Sequence, residues 1–132
     1  MTKDSFDLEC DRLSKAVDET MFEHLRWSRT EGPMLARLSE LARTTLEDRS
    51  EFELTEEGAS ADIKRFVLKV HNNRVMAIAI SLDSGRAVIQ AEPIERGKYT
   101  LREGPPISDD YRQVDQGWMA AALKELFSRV QS

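Results

Sequence analysis

Two imidazoles, one thiol, an Asp-Ser-Gly turn and a scatter of arginines and lysines are the residues of this chain that could do chemistry. His24 and His71 are the only histidines and Cys10 the only cysteine. A zinc site would need both imidazoles plus carboxylates drawn from distant segments, which is not a metal-ligand spacing. His24 reads as packing beside Trp27 or facing water. Cys10 falls in an apolar stripe, where a thiol behaves as an inert small hydrophobe rather than a nucleophile. One cysteine also excludes an intrachain disulfide and a multi-cysteine metal cage. The adjacent carboxylates Glu56-Glu57 and Asp109-Asp110 read as a solvated loop and a first helical turn. Trp27 and Trp118 read as core or interface residues. No Gly-rich phosphate loop, G-x-S-x-G elbow or H-E-x-x-H pair occurs. The reading therefore expects no catalytic residue, no metal and no cofactor.

Leu82-Asp83-Ser84-Gly85 resembles the Asp-Ser/Thr-Gly signature of retroviral-type aspartic proteases. Those are small β-rich dimers, and the resemblance implies a shared-proton dyad with Asp83 supplied by each chain. It extends over four residues only. Arg86 stands where the family has a small residue, and no later apolar-apolar-Gly motif follows. Taken by themselves, these residues read as a turn between two strands. In size and acidity the chain is also similar to dimeric chaperones of bacterial secretion systems. Their order places a helix among the strands, and no such helix reads here.

At 132 residues the chain has the size of one domain with a single core. Its 40% hydrophobic and 33% charged content describes a folded chain rather than a disordered one. No apolar run approaches the ~20 residues that a membrane-spanning helix needs. Asp4, Asp7 and Glu9 interrupt what a signal peptide would keep apolar, so the expected location is the cytoplasm. The net charge of −5 is unevenly spread. Residues 1–62 hold 8 Lys/Arg against 16 Asp/Glu, while residues 63–132 hold 11 against 8. Nucleic acid is disfavoured as a partner, because the field of the whole chain repels phosphate.

The elements that must position these residues follow from periodicity. Phe6, Cys10, Leu13, Val17, Met21 and Leu25 share one face of a long helix over residues 4–29. Leu8, Phe22 and Trp27 fall off that stripe and widen its apolar surface, which marks them as candidate interface residues. Glu31-Gly32-Pro33 breaks the helix. A second helix runs to about Asp48 with Leu35, Leu38, Leu41, Ala42 and Leu46 inward, and the short connection predicts a helical hairpin. Glu51–Glu56 alternates as an edge strand, followed by a loop at Glu57-Gly58-Ala59-Ser60. Ile63 to Ile94 supplies the central strands, and Lys98–Arg102 a last one. Gly104-Pro105-Pro106 ends the sheet. Ser108-Asp109-Asp110 caps a final helix to about Val130, with Met119, Ala122, Leu123, Leu126 and Val130 inward. Gly117 weakens its start, leaving Tyr111 to Gln116 as a separate turn. The fold class predicted is α+β, ordered α-α-β-β-β-β-β-α, with an N-terminal helical hairpin, a five-stranded antiparallel meander and a C-terminal helix.

Register follows from keeping one face apolar, since a one-residue slip exchanges faces. A three-residue loop at Asn72-Asn73-Arg74 sets Val70 against Met76, Leu68 against Ile78 and Phe66 against Ile80. A two-residue turn at Ser84-Gly85 sets Ile80 against Ile89 and Ile78 against Ala91. Glu95-Arg96-Gly97 then sets Ala91 against Leu101 and Pro93 against Tyr99. The buried face comprises Phe66, Leu68, Val70, Met76, Ile78, Ile80, Leu82, Ile89, Ala91, Tyr99 and Leu101. The opposite face carries small Ala77 and Ala79 between longer, basic side chains, a shallow trough. Residues 63–102 hold 8 Lys/Arg against 3 Asp/Glu.

Five strands at ~4.8 Å spacing seat two helices of ~10 Å abreast on the apolar face. The third helix must cross the trough or pack against a second copy, and the first helix, with its surplus apolar surface, suits either. The expected role is a non-catalytic protein-interaction module (adaptor, chaperone-like or regulatory subunit) in a dimer, with another protein or a second copy as partner. The alternative is a small anionic ligand, bound or turned over at Arg65, Lys69, His71, Ala77, Ala79, Arg86 and Arg102.

Overall fold

The computed structural model describes residues 3–58 and 62–131. The order is α+β as expected: helices first, a five-stranded antiparallel sheet, then a C-terminal helix. The chain forms two compact units, residues 1–34 and residues 35–132.

In the first unit, α1 (Lys3–Val17) and α2 (Glu19–Arg29) replace the single helix expected over 4–29. The break is Asp18, whose backbone is extended (φ −153°, ψ 96°) while its carboxylate accepts the Met21 N–H at 3.0 Å. An aspartate at this position satisfies one of the orphan donors of a new helix, so the local bond favours restarting over continuing. The two helices face each other across a groove lined by Cys10, Ser14, Phe22 and Leu25. Thr30 ends α2, and α3 (Glu31–Thr45) begins at once. Arg26 Nη1 donates to Glu31 Oε1 at 2.9 Å. The Thr30 hydroxyl and then Arg26 hold the Glu31 carboxyl below the usual carboxylate range.

The second unit contains the core. From Leu35 onward α3 buries Leu35, Leu38, Ser39 and Ala42, with the Ser39 hydroxyl returned to the Leu35 carbonyl at 3.1 Å. The strands are β1 (Phe52–Glu56), β2 (Ile63–Val70), β3 (Asn73–Asp83), β4 (Arg86–Glu92), β5 (Thr100–Leu101) and β6 (Ile107–Asp110). A 3-10 turn at Tyr111–Gln113 leads to α4 (Gln116–Ser128), and the short β7 (Val130–Gln131) follows. The sheet order is β1-β2-β3-β4-β6, every pair antiparallel, with β5 and β7 forming a separate ribbon. Phe66, Leu68, Met76, Ile78, Ile80 and Ile89 are buried, as are Met119, Ala122, Leu123 and Leu126 of α4. Each of these side chains larger than alanine contributes about 1.5–3 kcal/mol by leaving water. Arg43 lies over the Phe66 ring at 5.1 Å, Phe127 stacks on Phe52 at 5.8 Å, and Arg37 donates to the Val114 carbonyl at 2.7 Å. These contacts hold the helices to the sheet.

Several local expectations are corrected. The β2–β3 turn is the two-residue His71-Asn72, both left-handed (φ 49° and 66°), so Val70 pairs with Asn73. A bulge between Leu68 and Lys69 in the ladder absorbs Val75 and resets the register to Leu68 with Met76 and Phe66 with Ile78. Without that extra residue the turn would put Met76 on the wrong face. The Ser84-Gly85 turn is found, with Ile80 against Ile89 and Ile78 against Ala91. Lys98–Arg102 does not join the sheet; Thr100 and Leu101 pair with Gln131 and Val130. Pro93 has no N–H to donate, so the β4 ladder stops before it. The sheet therefore does not end at Gly104-Pro105-Pro106 but takes its fifth strand after them, with Ile89 against Ile107 and Arg86 against Asp110. Ser108-Asp109-Asp110 is strand, and Asp110 caps the 3-10 turn rather than α4. The cap of α4 is Asp115, which accepts the Trp118 N–H at 2.8 Å. The expected turn ahead of this helix is present. Within the loop predicted after β1, Ala59 and Ser60 lie outside the described residues.

Candidate functional site

The basic residues expected to share the second sheet face are spread along the strands rather than gathered. Arg65 pairs with Ala79, which pairs with Gln90, and Ala77 pairs with Glu92. Lys69 sits opposite Arg74, and His71 occupies the exposed turn beyond it. Arg86 lies near the other end, opposite Asp83 and Asp110. From Arg74 to Asp83 is about 30 Å along β3 at strand rise, so Lys69 and Arg86 cannot grip one small anion. Arg102 is off the sheet, 3.9 Å from Glu125.

The alanine trough is roofed by its own neighbours. Arg65 Nε approaches Glu92 Oε2 at 3.6 Å, across the strand pairs that contain Ala77 and Ala79. That Nε is buried without a hydrogen bond, as is the Thr55 hydroxyl. Small side chains on the central strand leave room for an arginine to lie flat, and its carboxylate partner offsets the charge it would present to an anion. Val67, on this same face, is 6% exposed. Arg74, opposite Lys69, is also matched, with Glu57 at 2.9 Å, and Lys64, which points to the other face, pairs with Glu56 at 2.9 Å.

Remaining polar clusters do structural tasks. Asp83 and Ser84 are exposed at their turn, where the Ser84 hydroxyl donates to Asp83 at 3.4 Å. Trp118 Nε1 donates to Asp109 at 3.2 Å, and Asp109 also accepts the Asp110 N–H at 2.7 Å. Asp110 accepts from Arg112 at 3.1 and 3.0 Å. His24 lies on exposed helix surface. Among the described residues, no group of three or more His, Cys, Asp or Glu could hold a metal ion.

A cavity of about 600 Å³ is lined by Ala91, Pro93, Leu101, Arg102, Glu103 and Arg129. Sequence reasoning missed Arg129, which is 4% exposed and donates to the Pro105 carbonyl at 2.9 Å. Its Nε faces Glu125 at 3.5 Å. Gly104 makes room for this guanidinium: a Cβ there would lie 2.7 Å from Arg129 Cζ. The cavity wall thus sets Arg102 and Arg129 beside Glu103, both arginines face Glu125 next to it, and Arg129 closes β7 onto the Pro105 loop. A lone arginine near the end of a helix carries no sequence signal for that role.

The exposed apolar face of the first unit is the feature with no internal use. Phe6 is 59% exposed, Leu8 69%, Leu13 58%, Val17 79%, Met21 51% and Leu25 41%. The stripe read as one face of a helix therefore meets solvent. Cys10, expected to be a buried thiol, is exposed within it. Of the three residues expected at an interface, Leu8 is exposed, while Phe22 and Trp27 are half-buried. Trp27 is turned toward Gly32, where a Cβ would lie 3.2 Å from its ring. Beside the α1–α2 groove, Leu13, Val17 and Met21 line a second hollow of about 410 Å³ with Cys10. Helix periodicity finds this stripe; it does not say whether the stripe faces a core or solvent.

Among the described residues, no helix is long and apolar enough to cross a membrane. Comparison of the chain with protein-family models, curated proteins and solved structures gives no match.

Proposed function

We propose that this protein is a non-catalytic interaction module, an adaptor, chaperone-like or regulatory subunit, whose contact surface is the apolar face of α1 and α2. The observation that carries the reading is the stripe of five large apolar side chains, Phe6, Leu13, Val17, Met21 and Leu25, each more than two-fifths exposed. Together they present on the order of 500 Å² of apolar surface, within the range of the largest patches that monomers leave bare and typical of protein contact sites. An amphipathic partner helix laid into the groove is the mode this shape suits. Ion-pairing of Arg65 and Arg74 with carboxylates, together with the distance between Lys69 and Arg86, argues the same way, since it leaves no converging set of cations on that sheet face for a small anion. An exposed, unpaired thiol at Cys10 accords with a reducing, cytoplasmic compartment.

The test is a Leu13→Glu, Met21→Glu double substitution. Both sites are solvent-exposed, so thermal unfolding should stay close to wild type, while concentration-dependent self-association or retention of a copurifying protein is lost. A wild-type chain that sediments as a monomer at every concentration and brings no partner through purification would sink the proposal.

A further inference from the structure

We infer that the cavity between the end of β4 and the β5–β7 ribbon is a binding site for a small organic monocarboxylate, held by Arg102 and Arg129. It goes beyond the interaction reading, because it lies on another surface and neither needs the other. Two observations carry it: how the Arg129 guanidinium is bonded, and what surrounds it.

Arg129 is 4% exposed, so its charge has left most of its water. Burying a guanidinium is costly unless its donors are filled and a carboxylate lies close. The protein meets neither condition in full. Among the N–H donors, Nη2 gives one to the Pro105 carbonyl at 2.9 Å. Nε faces Glu125 Oε1 at 3.5 Å, longer than a charge-assisted hydrogen bond. Nη1 donates to none of the described residues. Arg102 Nη2 faces that same Glu125 oxygen at 3.9 Å. One carboxylate oxygen is thus shared between two guanidiniums and bonds neither closely. Glu103, in the same wall, forms no ion pair among the described residues.

The chain sets these groups side by side. Pro93 stops the β4 ladder, and the chain comes back as β5, where Leu101 pairs with Val130. The Arg102 N–H then donates to the Arg129 carbonyl at 2.7 Å, which fixes the two arginines as neighbours. Gly104 admits the guanidinium. A Cβ there would lie 2.7 Å from Cζ, 2.8 Å from Nε and 3.0 Å from Nη2, so the flat group rests against the glycine backbone.

The wall selects the ligand. A volume of about 600 Å³ is that of a small-molecule site. Arg102 and Arg129 offer planar forks that match the two oxygens of a carboxylate. Glu103 and Glu125 offset part of that charge, so a single negative charge is accepted and a second is repelled. Inorganic phosphate is disfavoured on this ground. Ala91, Pro93 and Leu101 form the apolar part of the wall and cover a short aliphatic or aromatic body. A cationic head group would meet both arginines.

The test titrates the full-length, isotopically labelled protein with sodium hexanoate and sodium benzoate, read by amide and arginine side-chain NMR shifts. Inorganic phosphate and hexylamine are the controls. A carboxylate should give saturable shifts confined to the cavity, the Leu101, Gly104 and Arg129 signals among them. Phosphate should bind at least about tenfold more weakly, and hexylamine should give no shift there. Arg129 also holds the Pro105 loop, so Arg102, whose side chain is 58% exposed, is the residue to change. Arg102→Gln should unfold at the wild-type temperature and bind the carboxylate at least about tenfold more weakly, the worth of one charge-assisted hydrogen bond. Arg102→Lys keeps the charge without the fork and should fall between the two. Leu13→Glu, Met21→Glu substitution should leave carboxylate affinity unchanged, so this site and the α1–α2 surface stand or fail separately. Loss of binding in that variant would place the carboxylate on the helices and overturn the inference. It is equally overturned by no saturable shift with either carboxylate, by phosphate binding as tightly, or by undiminished affinity in Arg102→Gln.

Discussion

Asp110 is the residue whose ionisation the fold alters most clearly. The Arg112 side chain, then the Arg112 backbone N–H, bond its carboxylate and lower its pKa from 3.8 to about 2. A depressed carboxylate stabilises the folded state above its ordinary pKa, and that contribution disappears as pH falls through about 2. An NMR titration of the Asp110 carboxyl should therefore show a midpoint near 2. In an Arg112→Gln variant it should rise toward the ordinary range without reaching it, since the backbone N–H of residue 112 still donates. A wild-type midpoint near 4 would contradict this account. Chemistry at single residues was only half legible in the sequence. Ala77 and Ala79 mark a low place in the sheet surface by size alone. That Arg65 lies over them toward Glu92 depends on a side-chain path that alternation does not encode.

Elements were legible where turn chemistry and alternation agreed, and obscure where a correction was hidden between them. Ser84-Gly85 has a glycine at φ 81°, an ordinary hairpin residue, and its register reads directly. His71-Asn72 has no glycine, although both residues are left-handed, so a longer loop is the natural choice from sequence. The structure instead keeps the tight turn and spends Val75 as a bulge to restore the face. Asparagine tolerates the left-handed region through its short polar side chain, whereas a β-branched residue does not. Asn72→Val should cost about 1–2 kcal/mol of stability, read from urea unfolding, while Asn72→Gly should be neutral or slightly stabilising. Equal stability for both variants would remove the strained turn from the explanation. The sixth strand was illegible for another reason. Ile107-Ser108-Asp109-Asp110 is mostly polar and follows two prolines, and only its pairing with β4 makes it a strand.

At the scale of the whole molecule, burial is divided unevenly along the chain. Every side chain that is buried among the described residues lies at or after Leu35, from Leu35 itself through Arg129. Periodicity alone gave the first helix an apolar stripe without saying what it meets, because an amphipathic helix reads alike whether its apolar face meets its own sheet or another molecule. What separates the two is the supply of partners. The sheet's apolar face is met by α3 and α4, whose Leu38, Ala42, Leu123 and Leu126 are at most 1% exposed. A chain shortened by residues 1–29 keeps α3 whole and retains every buried residue. It should unfold cooperatively in urea with stability within about 1 kcal/mol of the full chain, and it should sediment as a monomer at concentrations where the full chain associates. Loss of cooperative unfolding would assign α1 and α2 to the core and reverse their proposed role. A shortened chain that folded and still associated would move the contact surface to the second unit.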